Sequence, residues 1–107
     1  MAAKYKILTG SDSLYYFHLQ GDNNEKLLQS EGYTTKANAK NGIASVRVHS
    51  PTDANYVRLN SGGSIWFRLK ATNGETLGRS ETYSSETARE TGIAAVKKHG
   101  PSAPLEE

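Results

Sequence analysis

Three groups of side chains in this sequence carry chemistry. His49 and His99 stand at equivalent places in two similar segments, and a pair of imidazoles can ligate a metal or pass a proton near neutral pH. Each falls at the end of an expected helix, where an imidazole also serves the free carbonyls of the last turn, and that reading is preferred to an enzyme built on His49 and His99. Ser30-Glu31-Gly32-Tyr33 and Ser80-Glu81-Thr82-Tyr83 each gather a hydroxyl, a carboxylate and a phenol. A nucleophile needs a base and an orienting third group, which the pattern lacks, so a strand-to-helix junction accounts for both. The third group is Trp66, Arg68 and Lys70, with Tyr16 and His18 at the matching places of the first segment: aromatic and cationic side chains suited to recognition rather than reaction. Ser61-Gly62-Gly63-Ser64 lacks the lysine and spacing of a phosphate loop and reads as a turn. No catalytic residue, metal ligand set or cofactor site is assigned, and the expectation is a protein that is not an enzyme.

The elements that position these groups must fit in 107 residues, the size of one small domain. With 36% hydrophobic and 22% charged residues the chain has too much apolar material for disorder. The absence of cysteine excludes disulfides and thiolate metal sites. The net charge of +2 is spread evenly over both halves, so there is no basic arm or acidic tail. No apolar run approaches the roughly 20 residues of a membrane helix, and Met1-Ala2-Ala3-Lys4-Tyr5 is unlike a signal peptide; a cytoplasmic protein without a membrane partner is expected. The final Leu105-Glu106-Glu107 has the look of an appended remnant.

Shifted by 50 positions the chain matches itself: Phe17 falls on Phe67, Leu19 on Leu69, Asn23 on Asn73, Glu25 on Glu75, Leu27 on Leu77, Tyr33 on Tyr83, Gly42-Ile43-Ala44 on Gly92-Ile93-Ala94, and His49 on His99. This is a tandem duplication, with repeats over 1–53 and 54–104. A unit of about 50 residues has difficulty burying enough apolar surface alone, so the two are expected to form one compact domain about a pseudo-twofold axis, an internal dimer in a monomeric chain.

Within each repeat the periodicity changes from two to that of a helix. Ile65, Phe67 and Leu69 alternate with Trp66, Arg68 and Lys70, as Tyr15, Phe17 and Leu19 do with Tyr16, His18 and Gln20. A shorter strand precedes each, Tyr5 to Leu8 and Tyr56 to Leu59, and a third follows, from about Lys26 to Tyr33 and from about Thr76 to Tyr83. Asn73-Gly74 has the residues of a type I′ turn, and Asp22-Asn23-Asn24 takes its place in the first repeat. Thr34-Thr35 and Ser84-Ser85 can cap helices over about Thr35 to His49 and Ser85 to His99. The apolar stripes are Ala39, Ile43 and Val46 on the first helix, and Ala88, Ala95 and Val96 on the second. Gly42 and Gly92 inside the helices mark a close approach to the sheet. The fold class is α+β: a duplicated β-β-β-α unit with an antiparallel sheet and both helices on one face.

Trp66-Phe67-Arg68-Leu69-Lys70-Ala71, Asn73-Gly74-Glu75, Ser80-Glu81, Tyr83 and Gly92-Ile93 with Val96 resemble the YegP-like bacterial family, in its two-copy form. The resemblance covers nearly the whole chain and implies paired β-β-β-α units; it brings no established activity. The first repeat departs from the pattern, with His18 and Gln20 where Arg68 and Lys70 match it and Asn24 where Gly74 does.

If Phe67 and Leu69 face the core, Trp66, Arg68 and Lys70 face away from it, joined by Tyr16 and His18. Three readings of that face stand: ordinary cross-strand pairing with a cation resting on a ring, a protein or peptide interface, and a single-strand nucleic-acid platform. A non-enzymatic binding module with an unknown protein or peptide partner is the preferred functional reading, and nucleic acid is the alternative.

Overall fold

A computed structural model of the chain describes residues 3–21, 23 and 25–106. Its elements are β1 (Lys4–Thr9), β2 (Tyr15–Gln20), β3 (Lys26–Gln29), α1 (Lys36–His49), a 3-10 turn at Asp53–Asn55, β4 (Tyr56–Ser61), β5 (Ser64–Lys70), β6 (Thr76–Arg79), α2 (Glu86–His99) and β7 (Leu105–Glu106). The strands form one sheet in the order β4-β5-β6-β3-β2-β1-β7. Each repeat contributes an antiparallel three-stranded meander, and the two join through the antiparallel pair β3–β6 at Gln29 and Arg79. The expected duplicated β-β-β-α unit is present, with one correction: the sheet is mixed. Leu105–Glu106 pairs parallel with β1 at Tyr5 and Lys6, because Pro101 and the turn after α2 return the chain to the outer edge of β1.

Both helices lie on one face, and each crosses the repeat boundary. The helix α1 rests on β1 and β2 and reaches β5 and β6; α2 rests on β5 and reaches β3. Thr35 and Ser85 are the caps, their hydroxyl oxygens accepting from Asn38 N and Ala88 N at 3.0 Å. The buried stripe of α1 is Ala39, Gly42, Ile43 and Val46. That of α2 is Arg89, Gly92, Ile93 and Val96, so Ala88 and Ala95, expected there, lie at its margin instead. Arg89 takes the position of Ala39; its guanidinium reaches Leu59 O (3.3 Å) and Glu90 (3.0 Å) at the rim, while its stem covers the core.

The core between helices and sheet holds Tyr5, Phe17, Leu19, Leu27, Leu28, Tyr56, Phe67, Leu69 and Leu77, with Ile43, Val46, Ile93 and Val96 from the helices. In β3 both Leu27 and Leu28 are buried because a bulge lies there: Leu19 pairs with Leu28, but Gln20 pairs with Lys26, leaving Leu27 as the extra residue. The same shift in β6 buries Leu77 beside Gly78. Near the pseudo-twofold axis Leu28 packs over Gly78, where a Cβ would strike it, so the symmetry yields there to a leucine opposite a glycine. Both third strands are shorter than expected, ending at Gln29 and Arg79; beyond them Ser30 N and Ser80 N still donate to Phe17 O (3.0 Å) and Phe67 O (2.9 Å), and bridges join Tyr33 to Tyr15 and Tyr83 to Ile65.

Two turns differ in kind. Gly62 and Gly63 have φ of 58° and 88°, the positive pair that a two-residue type I′ turn demands. Asn73-Gly74, expected to form that turn, does not: among its residues Gly74 alone has positive φ (87°), and its N–H donates to Ala71 O (2.9 Å). Three residues separate the bonded pair Ala71 and Glu75, one too many for type I′, so a type I turn closes through a left-handed glycine. Asn73 Oδ1 accepts from Glu75 N, and Asn23 Oδ1 does the same for Glu25 N, both at 3.0 Å. Asp22 and Asn24 of the first turn lie outside the described residues.

Candidate functional site

The helices leave the other sheet face bare, and the registers of the six pairings lay one rung across all seven strands on it. Val57 pairs with Arg68, Arg68 with Arg79, Arg79 with Gln29, Gln29 with His18, His18 with Lys6 and Lys6 with Glu106. Two of the expected residues, His18 and Arg68, therefore share a line, with Arg79 and Gln29 between them. Trp66 and Lys70 flank Arg68 along β5; Tyr16 flanks His18 along β2. All five are half-buried.

Their environments differ. Tyr16 is tied to its own hairpin: its hydroxyl donates to Asp12 Oδ2 at 2.5 Å, which raises the phenol pKa and lowers that of the Asp12 carboxyl. The ring lies where a Cβ on Gly10 would meet it. His18 is pushed below its ordinary pKa by burial and then by Lys26, against an opposing effect of Glu81. Arg68 Nη1 donates to Thr76 Oγ1 at 3.0 Å. Among the described residues the cation–ring contacts are Arg47 over Tyr5 (4.9 Å) and Lys97 over Tyr56 (5.6 Å), both on the helix side, so a stabilising cation–π pair does not account for Trp66 beside Arg68.

Sequence reasoning missed the residues from the third strands. Lys26, Gln29, Ser64, Trp66, Arg79, Ser80, Glu81 and Thr82 line a pocket of about 420 Å³ where β5, β6 and β3 meet. Lys26 Nζ is held by Glu81 Oε1 (3.1 Å) and Gln29 Oε1 (3.0 Å). The usable signal was the pair Leu27-Leu28 between Lys26 and Gln29: two adjacent core residues inside a short strand mark a bulge, which returns the flanking polar residues to one face.

The remaining groups serve the fold. Ser30 Oγ accepts from Phe17 N (2.9 Å) and donates to Glu31 O (2.8 Å); Ser80 repeats this with Phe67 N (3.0 Å) and Glu81 O (2.7 Å). Tyr33 and Tyr83 stack on Phe17 and Phe67, at centroid distances of 6.2 Å, beneath Gly42 and Gly92. The Ser-Glu-x-Tyr motif is thus a strand-to-helix junction. His49 and His99 are half-buried at the helix C-termini, and His49 Nδ1 lies 2.8 Å from Ser45 O of its own helix.

The family model for the "Domain of unknown function (DUF1508)" matches residues 11–56 and again 60–107, once in each repeat. The chain belongs to this family. DUF1508 relatives at the sequence level include a UPF0339 protein of Bordetella pertussis, 48% identical over 57 residues, and the UPF0339 protein YegP of Escherichia coli O157:H7, 46% identical over 56 residues. These matches take in 53% and 52% of this chain, and the chain spans about half the length of each relative, 51% in both cases. At the level of structure the chain is similar to the solution NMR structure of a protein of unknown function, yegP from E. coli, with a TM-score of 0.92 and 40% identity over 99% of this chain and 92% of that one. The UPF0339 protein SO3888 of Shewanella oneidensis gives a TM-score of 0.92 at 36% identity, covering 99% and 91%. The expected YegP-like family and its duplicated unit are thereby established. Among the described residues no helix is long and apolar enough to cross a membrane.

Proposed function

We propose that this chain is a non-enzymatic, monomeric binding module that holds an acidic segment of another protein against the open face of its sheet. The observation that carries the reading is the bare rung and its neighbours. Lys4, Lys6, Lys26, Arg68, Lys70 and Arg79 stand on one uncovered face; Glu81 and Glu106 answer them there, and Asp12 and Glu31 lie beside Tyr16 at the first-repeat end, so the cations dominate around β5, β6 and β3. Charge complementarity selects an anionic partner and speeds its encounter. A single-strand nucleic-acid platform stacks successive bases on two or three aromatic rings. Alternation places two rings here, Trp66 and Tyr16, and the Tyr16 hydroxyl is held by the Asp12 carboxylate, whose charge repels a phosphate; this favours a peptide anchored on Trp66.

The test is a titration of the labelled protein with acidic peptides, basic peptides and single-stranded oligonucleotides, followed by amide NMR shifts at two salt concentrations. Acidic peptides are expected to shift β5, β6 and β3 amides and to lose affinity moderately with salt. Shifts confined to α1 and α2, or tighter binding of the oligonucleotide with the steep salt dependence of phosphate contacts, would contradict the proposal. Light scattering at micromolar concentration should give the mass of one chain.

A further inference from the structure

We infer that the pocket beside Trp66 is a single anchoring site, present in the second repeat alone, for a carboxylate followed by an aromatic side chain in the acidic segment; the inference rests on the open-face reading and makes it specific. Three observations carry it. Arg79 is exposed and, among the described residues, has no ion pair or side-chain hydrogen bond, and it stands directly across from Arg68 in the register. Like charges placed opposite one another in a sheet are unfavourable, and a carboxylate held by Arg79, the arginine that lines the pocket, relieves that cost, its two oxygens matching the guanidinium fork while Arg68 stays turned to Thr76. On the far side the Lys26–Glu81 pair closes the pocket, and the Glu81 carboxylate turns a ligand's acid away from Lys26 and toward Arg79. Trp66 lines the same pocket and offers its half-buried indole to a planar neighbour.

The third observation is the broken symmetry. At the equivalent place in the first repeat Leu14 stands for Ser64, Gly32 for Thr82 and Gln29 for Arg79. Leu14 and the Tyr16 hydroxyl pack over Gly32, close enough that a Cβ there would collide with Leu14. The first repeat has filled its pocket and lost its arginine, so the duplicated chain binds one ligand, not two.

Trp66 is the sole tryptophan, so its fluorescence reports the site directly. Titration with the tryptophan-free peptide acetyl-Glu-Phe-Glu-Phe-amide at low salt is expected to give a saturable change at one peptide per chain. Arg79→Gln should weaken binding about tenfold or more, as loss of a charge-assisted pair does. Ser64→Leu with Thr82→Gly, which copies the first repeat's filling, should abolish it, while Leu14→Ser should leave it unchanged. Ser64, Arg79 and Thr82 are exposed and Leu14 is half-buried, and far-UV circular dichroism verifies that each variant folds. Undiminished affinity in both Arg79→Gln and the Ser64→Leu, Thr82→Gly variant overturns the inference; if amide shifts then lie in β1 and β2, the open-face reading survives without it. A wild-type protein that binds no acidic peptide overturns both. Equal or tighter binding of inorganic phosphate or a single-stranded oligonucleotide overturns the assignment to a carboxylate peptide.

Discussion

Asp53 follows α1 and draws in two cations from the second repeat: Lys97 Nζ at 2.6 Å and Arg58 Nη2 at 2.9 Å, while Arg58 Nε also donates to Glu90 at 2.9 Å. The hydrogen bond from Arg58, and next that from Lys97, hold the Asp53 carboxyl at about 2, below its ordinary 3.8. A carboxyl whose folded pKa lies below its unfolded one stabilises the fold fully above the unfolded value and loses that contribution as pH falls toward the folded value. The contribution of Asp53 is therefore present at neutral pH and fades between about pH 4 and about pH 2. Asp53 is exposed, so solvent screens the pairs and the effect is modest. In Asp53→Asn the melting temperature should fall less steeply with acidification over that window than in the wild type. Melting curves that keep the wild-type slope would show that the cluster contributes nothing.

At the scale of the elements the helices are seated by glycine. Gly42 and Gly92 let α1 and α2 settle on Tyr33 and Tyr83; a Cβ at Gly92 would run into the Tyr83 hydroxyl and ring. Glycine inside a helix costs about 1 kcal/mol relative to alanine, so an exposed Gly→Ala change would stabilise by that amount. Here the sign reverses: Gly92→Ala should destabilise by about 1 to 3 kcal/mol, the usual range for overpacking. Because the first atom met is the hydroxyl, Tyr83→Phe in the same chain should return part of the loss. Denaturant unfolding of the two single variants and the double variant measures this coupling, and strict additivity would argue against the proposed contact.

Taken whole, the molecule exchanges contacts between repeats at every layer. The Tyr5 hydroxyl of the first repeat donates to Gly100 O at the end of α2 (2.6 Å), and that of Tyr56 in the second donates to Ser50 O at the end of α1 (2.7 Å). Burial raises both phenol pKa values, so each remains a donor to the partial negative charge at the other repeat's helix end. The sheet is continuous through β3 and β6, and the helices cross that seam. Neither repeat keeps its core when the other opens, so unfolding should be one transition. Trp66 fluorescence reports the second repeat, and NMR signals of His18 report the first; both should give the same denaturant midpoint as circular dichroism. Separate midpoints would mean that the repeats fold as independent units.

The sequence alone was enough for whatever depends on contiguous residues. Alternation set Phe17, Leu19, Phe67 and Leu69 against Tyr16, His18, Trp66, Arg68 and Lys70; Thr35 and Ser85 marked the helix starts; the 50-residue offset gave the duplication and its axis. Each of these follows from the period of a strand or helix, or from a hydroxyl beside free amides, and needs no knowledge of the rest of the chain. Tertiary structure decided the remainder. One inserted residue at Leu27 and Leu77 shifts the register and carries Lys26, Gln29 and Arg79 onto the open face beside Arg68. Pairing of β3 with β6, the return of β7 to β1 and the packing of Leu14 over Gly32 join residues far apart in sequence. A strand's own alternation fixes which residues share a face, but which strand lies beside it, and in which register, is settled by the packing that buries both repeats together.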